Sequence, residues 1–141
     1  MKMLLLINAR SGVKNSKANL VSVIDIFCRH GYDVSAYVTQ KQNDAYEYLM
    51  KNRVKYDVVC VFGGDGTMNE IVGGVAGFDN VAVTMFAGGS GNDFIRIFDE
   101  PEAFRDLNRL LDAEEVAFDL IKVNDDYSLN ICSVGLDARI A

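Results

Sequence analysis

The sequence predicts an α/β protein built on an open, mostly parallel, Rossmann-like sheet with helices on both faces. Three observations predict it. Over roughly the first 100 residues, short runs of β-favouring apolar residues alternate with segments of helical periodicity. Each of those runs ends in a polar or glycine-containing loop. And Val58-Val59-Cys60-Val61-Phe62 runs into Gly63-Gly64-Asp65-Gly66-Thr67, after which a helix-compatible pattern restarts. That stretch reads as a buried strand, a tight turn and a helix start.

Taken in order, Lys2–Ile7 reads as the first strand, followed by the loop Asn8-Ala9-Arg10-Ser11-Gly12. A helix is expected from about Ser16 to Arg29, with Leu20, Val23, Ile24 and Phe27 on its buried face. Gly31 stops it, and His30 suits that helix end better than a catalytic role. Asp33–Val38 is the second strand, ending at Thr39. Asn43 or Asp44 is expected to cap a helix from Ala45 to about Arg53.

Tyr56–Phe62 is the third strand, and the helix after Gly66 reaches about Val75 before Gly77 breaks it. Its Gly73-Gly74 pair implies close packing against the sheet. Asn80–Phe86 is the fourth strand, running into the turn Ala87-Gly88-Gly89-Ser90-Gly91-Asn92-Asp93 and a short helix around Asp93–Phe98. Pro101 suits the start of another helix, with Phe104, Leu107, Leu110 and Leu111 on one face. Glu115–Val123 and Tyr127–Val134 read as a hairpin around Asn124-Asp125-Asp126.

Bulk composition narrows the function. A chain of 141 residues, 50% hydrophobic, supports one domain with a real core. Fourteen Lys and Arg against 20 Asp and Glu leave a net charge of −6, which argues against nucleic acid and against general attraction to anionic membranes. No apolar run approaches the roughly 20 residues of a membrane-spanning helix. Met1–Ile7 is too short for a signal peptide, so a cytoplasmic protein is expected. Cys28, Cys60 and Cys132 have neither metal nor disulfide spacing and read as buried free thiols.

The turn after the third strand carries the chemistry. Glycines allow close backbone approach to a ligand, and φ > 0 where a turn needs it. The helix that follows points N–H groups and its positive dipole end at the turn, which makes an anion site, most often for phosphate. Asp65 would repel phosphate directly, so it makes sense as a metal ligand or as the acceptor of a proton from an attacking hydroxyl. In an open parallel sheet, ligands sit at the carboxyl ends of the strands. That edge should gather Asn8, Ser11, Gly12, Thr39, Gly63, Gly64, Asp65, Gly66, Thr67, Asn69, Ser90 and Asn92. Hydroxyls, amides, backbone N–H groups and one acid suit a nucleoside triphosphate with its metal, and phosphoryl transfer is the expected reaction.

Gly63-Gly64-Asp65-Gly66-Thr67-Met68-Asn69-Glu70 and Gly89-Ser90-Gly91-Asn92-Asp93-Phe94 closely resemble the two signature motifs of the diacylglycerol kinase and sphingosine kinase superfamily. Asn8-Ala9-Arg10-Ser11-Gly12 resembles its first loop, Thr39 its threonine after strand two, and Val134-Gly135-Leu136-Asp137-Ala138 the segment entering its second domain. Ala9 and Ala87 stand where the family usually has proline, loosening those loops without removing donors. The resemblance implies a nucleotide-binding domain over residues 1–125 and the start of a β-rich second domain over 126–141.

It also implies a cytoplasmic lipid kinase that moves the γ-phosphoryl group of Mg-ATP to a lipid hydroxyl at a membrane surface. ATP would be held by Asn8, Arg10, Ser11, Gly12, Thr39, Gly63, Gly64, Asp65, Gly66, Thr67, Met68, Asn69 and Ser90. Asp65 would assist Mg²⁺ or take the acceptor's proton; sphingosine kinases favour the second role for the matching acid. In bacterial members the second domain carries an acid proposed as catalytic base, so this chain is expected to have little activity alone. A non-catalytic nucleotide-binding module and an NAD kinase-like enzyme are the alternatives. An unpartnered final strand, Leu129–Val134, would also favour homodimers or aggregates.

Overall fold

A computed structural model describes residues 1–8, 17–87 and 92–130. Its centre is a four-stranded sheet of β1 (Lys2–Asn8), β2 (Asp33–Thr39), β3 (Val58–Gly63) and β4 (Ala82–Ala87), in the order β2-β1-β3-β4. Every neighbouring pair is parallel, so all four carboxyl ends fall on one edge. The connections are α1 (Lys17–Arg29), then α2 (Asp44–Asn52), then α3 (Asp65–Val75). The expected α/β architecture is therefore the observed one.

Alternation along the strands sorts the core into two layers. Leu4, Leu6, Val59, Val61 and Met85 face α2 and α3, where they meet Ala45, Leu49, Met68, Ile71 and Val72. Met3, Leu5, Ile7, Cys60 and Phe62 face α1, where they meet Val23 and Phe27. Helices thus cover both faces, as a parallel sheet requires. Burial pushes the Cys60 thiol up to about 12, which makes it an inert core residue. Cys28 does not follow the expected burial: it sits exposed on α1. Cys132 lies outside the described residues.

Helix ends carry most of the other differences. Gly31 and Gly77 stop α1 and α3 with φ of +85° and +71°, as read from the sequence. At α2 the expected cap is replaced. Asn43 is left-handed (φ 62°) and makes no side-chain cap, and Asp44 is already helical. The helix expected from Pro101 is two pieces: a 3₁₀ turn over Pro101–Arg105 and α4 (Leu107–Leu111). Asp106 breaks it by adopting an extended backbone and accepting a hydrogen bond from the Asn108 amide at 2.9 Å. The short helix after the second glycine turn is a 3₁₀ turn over Phe94–Ile97.

The hairpin is also shorter than expected. It pairs β5 (Ile121–Val123) with β6 (Asp126–Ser128) around Asn124-Asp125, with Asn124 at φ 55°. Residues 131–134 of its expected second arm lie outside the described residues.

Gly73-Gly74 packs closely, but against α2 rather than the sheet. A Cβ on Gly74 would stand 2.9 Å from Leu49 Cβ, and one on Gly73 would stand 3.5 Å from the Tyr46 ring. Gly74→Ala is therefore expected to destabilise the fold by about 1–3 kcal/mol despite alanine's better helix propensity. Urea unfolding would measure it; a variant at least as stable as the parent would refute the tight α2–α3 contact.

Candidate active site

β1 pairs with β2 on one side and β3 on the other, so the chain reverses its direction of winding at β1. In such sheets the crevice at the strands' carboxyl ends opens at this point. Asn8 ends β1 in register with Thr39 at the end of β2, and Gly63 ends β3 in register with Ala87. Thr39 Oγ1 donates to the Ile7 carbonyl at 3.4 Å, a long bond between neighbouring strands.

The polar side chains of the motif each reach a different segment. Thr67 Oγ1 accepts from Asn8 Nδ2 at 2.8 Å, joining the α3 turn to the β1 end. Asp65 accepts from the amides of Asp93 and Phe94 at 2.9 and 3.1 Å, tying the far side of the second glycine turn to the first. There Asn92 is fully buried and left-handed, with φ 64°. Asn69 Oδ1 accepts from the Leu129 amide at 3.2 Å, which anchors the hairpin exit. Glu70 accepts from the Asn43 and Ala45 amides at 2.9 and 3.3 Å, supplying from α3 the cap that α2 lacks. Asn69 and Glu70 thus tie α3 to distant segments through these oxygens, and Asn69, expected on ATP, is not among the residues lining the cleft described below.

The glycines act differently from the expectation of positive φ. Among the described residues only Gly31 and Gly77 have positive φ among glycines, so none of Gly63, Gly64 and Gly66 does. Gly63 is small because a Cβ there would stand 3.0 Å from Thr67 Cβ and Oγ1. Among the described residues, nothing lies within 4 Å of a Cβ added at Gly64 or Gly66. The fold itself does not need them bare. A ligand lying on the backbone would.

An open cleft of about 270 Å³ lies against this turn. Asn8, Thr39, Gly66 and Thr67 line it, together with Gln40, Lys41, Gln42 and Glu70. Met68 takes no part through its side chain, which is 2% exposed within the core, and its amide donates to the Gly64 carbonyl as the first bond of α3. Arg10, Ser11, Gly12 and Ser90 lie outside the described residues. The loop Gln40–Gln42 was missed by the sequence reading, although it follows directly on a strand's carboxyl end, where ligands gather. Its Lys41 ammonium bonds both Glu47 oxygens at 2.9 Å, which holds it above the usual lysine range. Among the described residues no group of three or more His, Cys, Asp or Glu is placed to hold a metal ion. None of the described helices is long and apolar enough to cross a membrane.

The sequence profile of the diacylglycerol kinase catalytic domain matches residues 2–123. The chain belongs to this family. The chain is similar to two relatives named "Putative lipid kinase": one from Staphylococcus carnosus strain TM300 is 41% identical over 88 residues, covering 61% of this chain and 29% of the relative. The other, from Staphylococcus aureus strain Mu3, is 28% identical over 136 residues, covering 89% and 44%. A solved diacylglycerol kinase from Bacillus anthracis strain Sterne superposes with a TM-score of 0.76 at 27% identity, over 89% of this chain and 45% of that one. The chain thus spans less than half the length of each of these three proteins.

Proposed function

We propose that this domain binds Mg-ATP in the cleft at the ends of β1 and β2, against the start of α3, and serves transfer of its γ-phosphoryl group to a lipid hydroxyl of the diacylglycerol type. In this reading residues 1–125 form the nucleotide-binding domain and 126–141 open a β-rich second domain. One observation carries it: Gly64 and Gly66 leave bare backbone beside the Asn8–Thr67 pair, at the N-terminus of an 11-residue helix. The α3 amides ahead of Met68 have no acceptor within the helix, so phosphate oxygens can lie on them. Asn8, Thr39 and Thr67 add side-chain polar groups to the cleft, and Lys41 adds a cation held only by an exposed pair.

The donor set also suits magnesium. Mg²⁺ commonly arrives on substrate phosphates and needs only one or two carboxylates from the protein. Each Asp65 oxygen accepts one amide and keeps a lone pair for that purpose. The ion would neutralise charge on the phosphates. The acceptor hydroxyl attacks the γ-phosphorus, the bond to the β–γ bridging oxygen breaks, and ADP leaves. Asp65, at the N-terminus of α3, either holds the ion or takes the hydroxyl proton. The same two amides fix its carboxylate in place.

Titration calorimetry of this chain with ATP and Mg²⁺ should give saturable 1:1 binding at micromolar to millimolar concentration, of the order usual for nucleotide-using enzymes. The full-length gene product should phosphorylate diacylglycerol-like lipids and leave NAD untouched. A folded sample that binds no nucleotide would end this reading, and NAD phosphorylation would redirect it.

A further inference from the structure

Glu70 presents a puzzle in a cleft read as a phosphate site. It lies four residues after Gly66, on the same face of α3, and both line the cleft. An unneutralised carboxylate there would oppose any anion. Yet both its oxygens are engaged, by the amides of Asn43 and Ala45, where α2 begins without a cap of its own. The positive end of α2 and these two donors answer the Glu70 charge.

The loop between β2 and α2 is gripped at its other end as well. The buried Asp44 accepts from the Gln40 amide at 2.7 Å and from the Tyr37 hydroxyl at 3.1 Å. Gln40, Lys41 and Gln42, the loop's cleft-lining residues, are therefore suspended between two carboxylates. The Lys41 side chain is drawn back to Glu47 on α2. Of these restraints only Glu70 comes from the helix that also carries the bare glycine turn.

We propose that Glu70 is a positioning residue: from α3 it fixes the Gln40–Asn43 loop as one wall of the nucleotide cleft, and so raises nucleotide affinity through the loop rather than as a ligand. The proposal rests on the nucleotide reading above. It makes the glycine turn and the loop one unit, because both hang on a single helix.

Glu70→Gln tests it, since two simple views predict opposite signs. If Glu70 acted only as a negative charge in the cleft, removing the charge would tighten polyphosphate binding. If it positions the loop, binding weakens. A glutamine keeps one acceptor but turns an NH₂ group toward the second amide. The expected result, measured on the full-length protein, is about a tenfold rise in the ATP dissociation constant and in KM for ATP, with a much smaller change in kcat. Hydrogen exchange at the Asn43 and Ala45 amides should accelerate while the middle of α2 stays protected, which separates loop release from global unfolding.

Equal or tighter ATP binding by the variant would overturn the positioning role while leaving the nucleotide reading intact. So would unchanged exchange at those two amides. A parent protein that binds no nucleotide would overturn both. Should Glu70→Gln fail to fold, Glu70→Asp supplies the comparison: it keeps the charge but shortens the reach to the Asn43 and Ala45 amides, and must likewise weaken ATP binding.

Discussion

Asp65→Asn should lower phosphoryl transfer by the full-length protein at least about 100-fold, the range typical for loss of a positioned proton acceptor or electrostatic group. Two causes act together. The Asp65 carboxylate accepts from the Asp93 and Phe94 amides through both oxygens. An asparagine can serve one of them but sets its own NH₂ against the other, at a cost of about 1–3 kcal/mol in stability for a donor left unpaired. It also removes the negative charge that would hold Mg²⁺ or take a proton. Thermal melting would read the first effect and single-turnover phosphorylation the second. Undiminished turnover would remove Asp65 from the chemistry and leave it as the tie between the two glycine motifs.

Gly66→Ala should separate folding from binding most cleanly. Among the described residues a Cβ at Gly66 meets nothing within 4 Å, and the residue lies within α3. The fold should therefore be as stable as the parent or gain up to about 1 kcal/mol from alanine's helix preference. In the cleft the added methyl occupies the space where phosphate would rest on the backbone, so ATP affinity should fall about 10- to 100-fold as those charge-assisted bonds are lost. Calorimetry with the parent and variant side by side checks both halves. Unchanged ATP affinity would mean that the nucleotide does not lie on this turn. Gly63→Ala makes a useful contrast, because its Cβ would press on Thr67 at 3.0 Å and disturb the fold itself.

Local pattern carried much of this architecture. The apolar run into Gly63-Gly64 located β3 and α3 to within two residues at each boundary, because burial and helix periodicity are written in neighbouring residues. The buried face of α1 and its stop at Gly31 were legible for the same reason. The break at Asp106 was not. An apolar stripe at helical spacing looks continuous, and an aspartate that captures amides two residues ahead competes with the helix without altering that stripe.

What the sequence by itself determined was the alternation of strands and helices, the family motifs and the edge on which polar residues gather. Only the tertiary structure decided where the motif's carboxylates and amides point. Asp65, Thr67, Asn69 and Glu70 find partners 28, 59, 60 and 27 residues away. Such pairings depend on strand order and helix docking, which no local propensity encodes. Strand order also set Asn8 between Thr39 and the Gly63 turn, and helix packing brought Gln40–Gln42 and Glu70 to the cleft. A side chain's type fixes which bonds it can make, and the folded backbone alone fixes which donors come within reach.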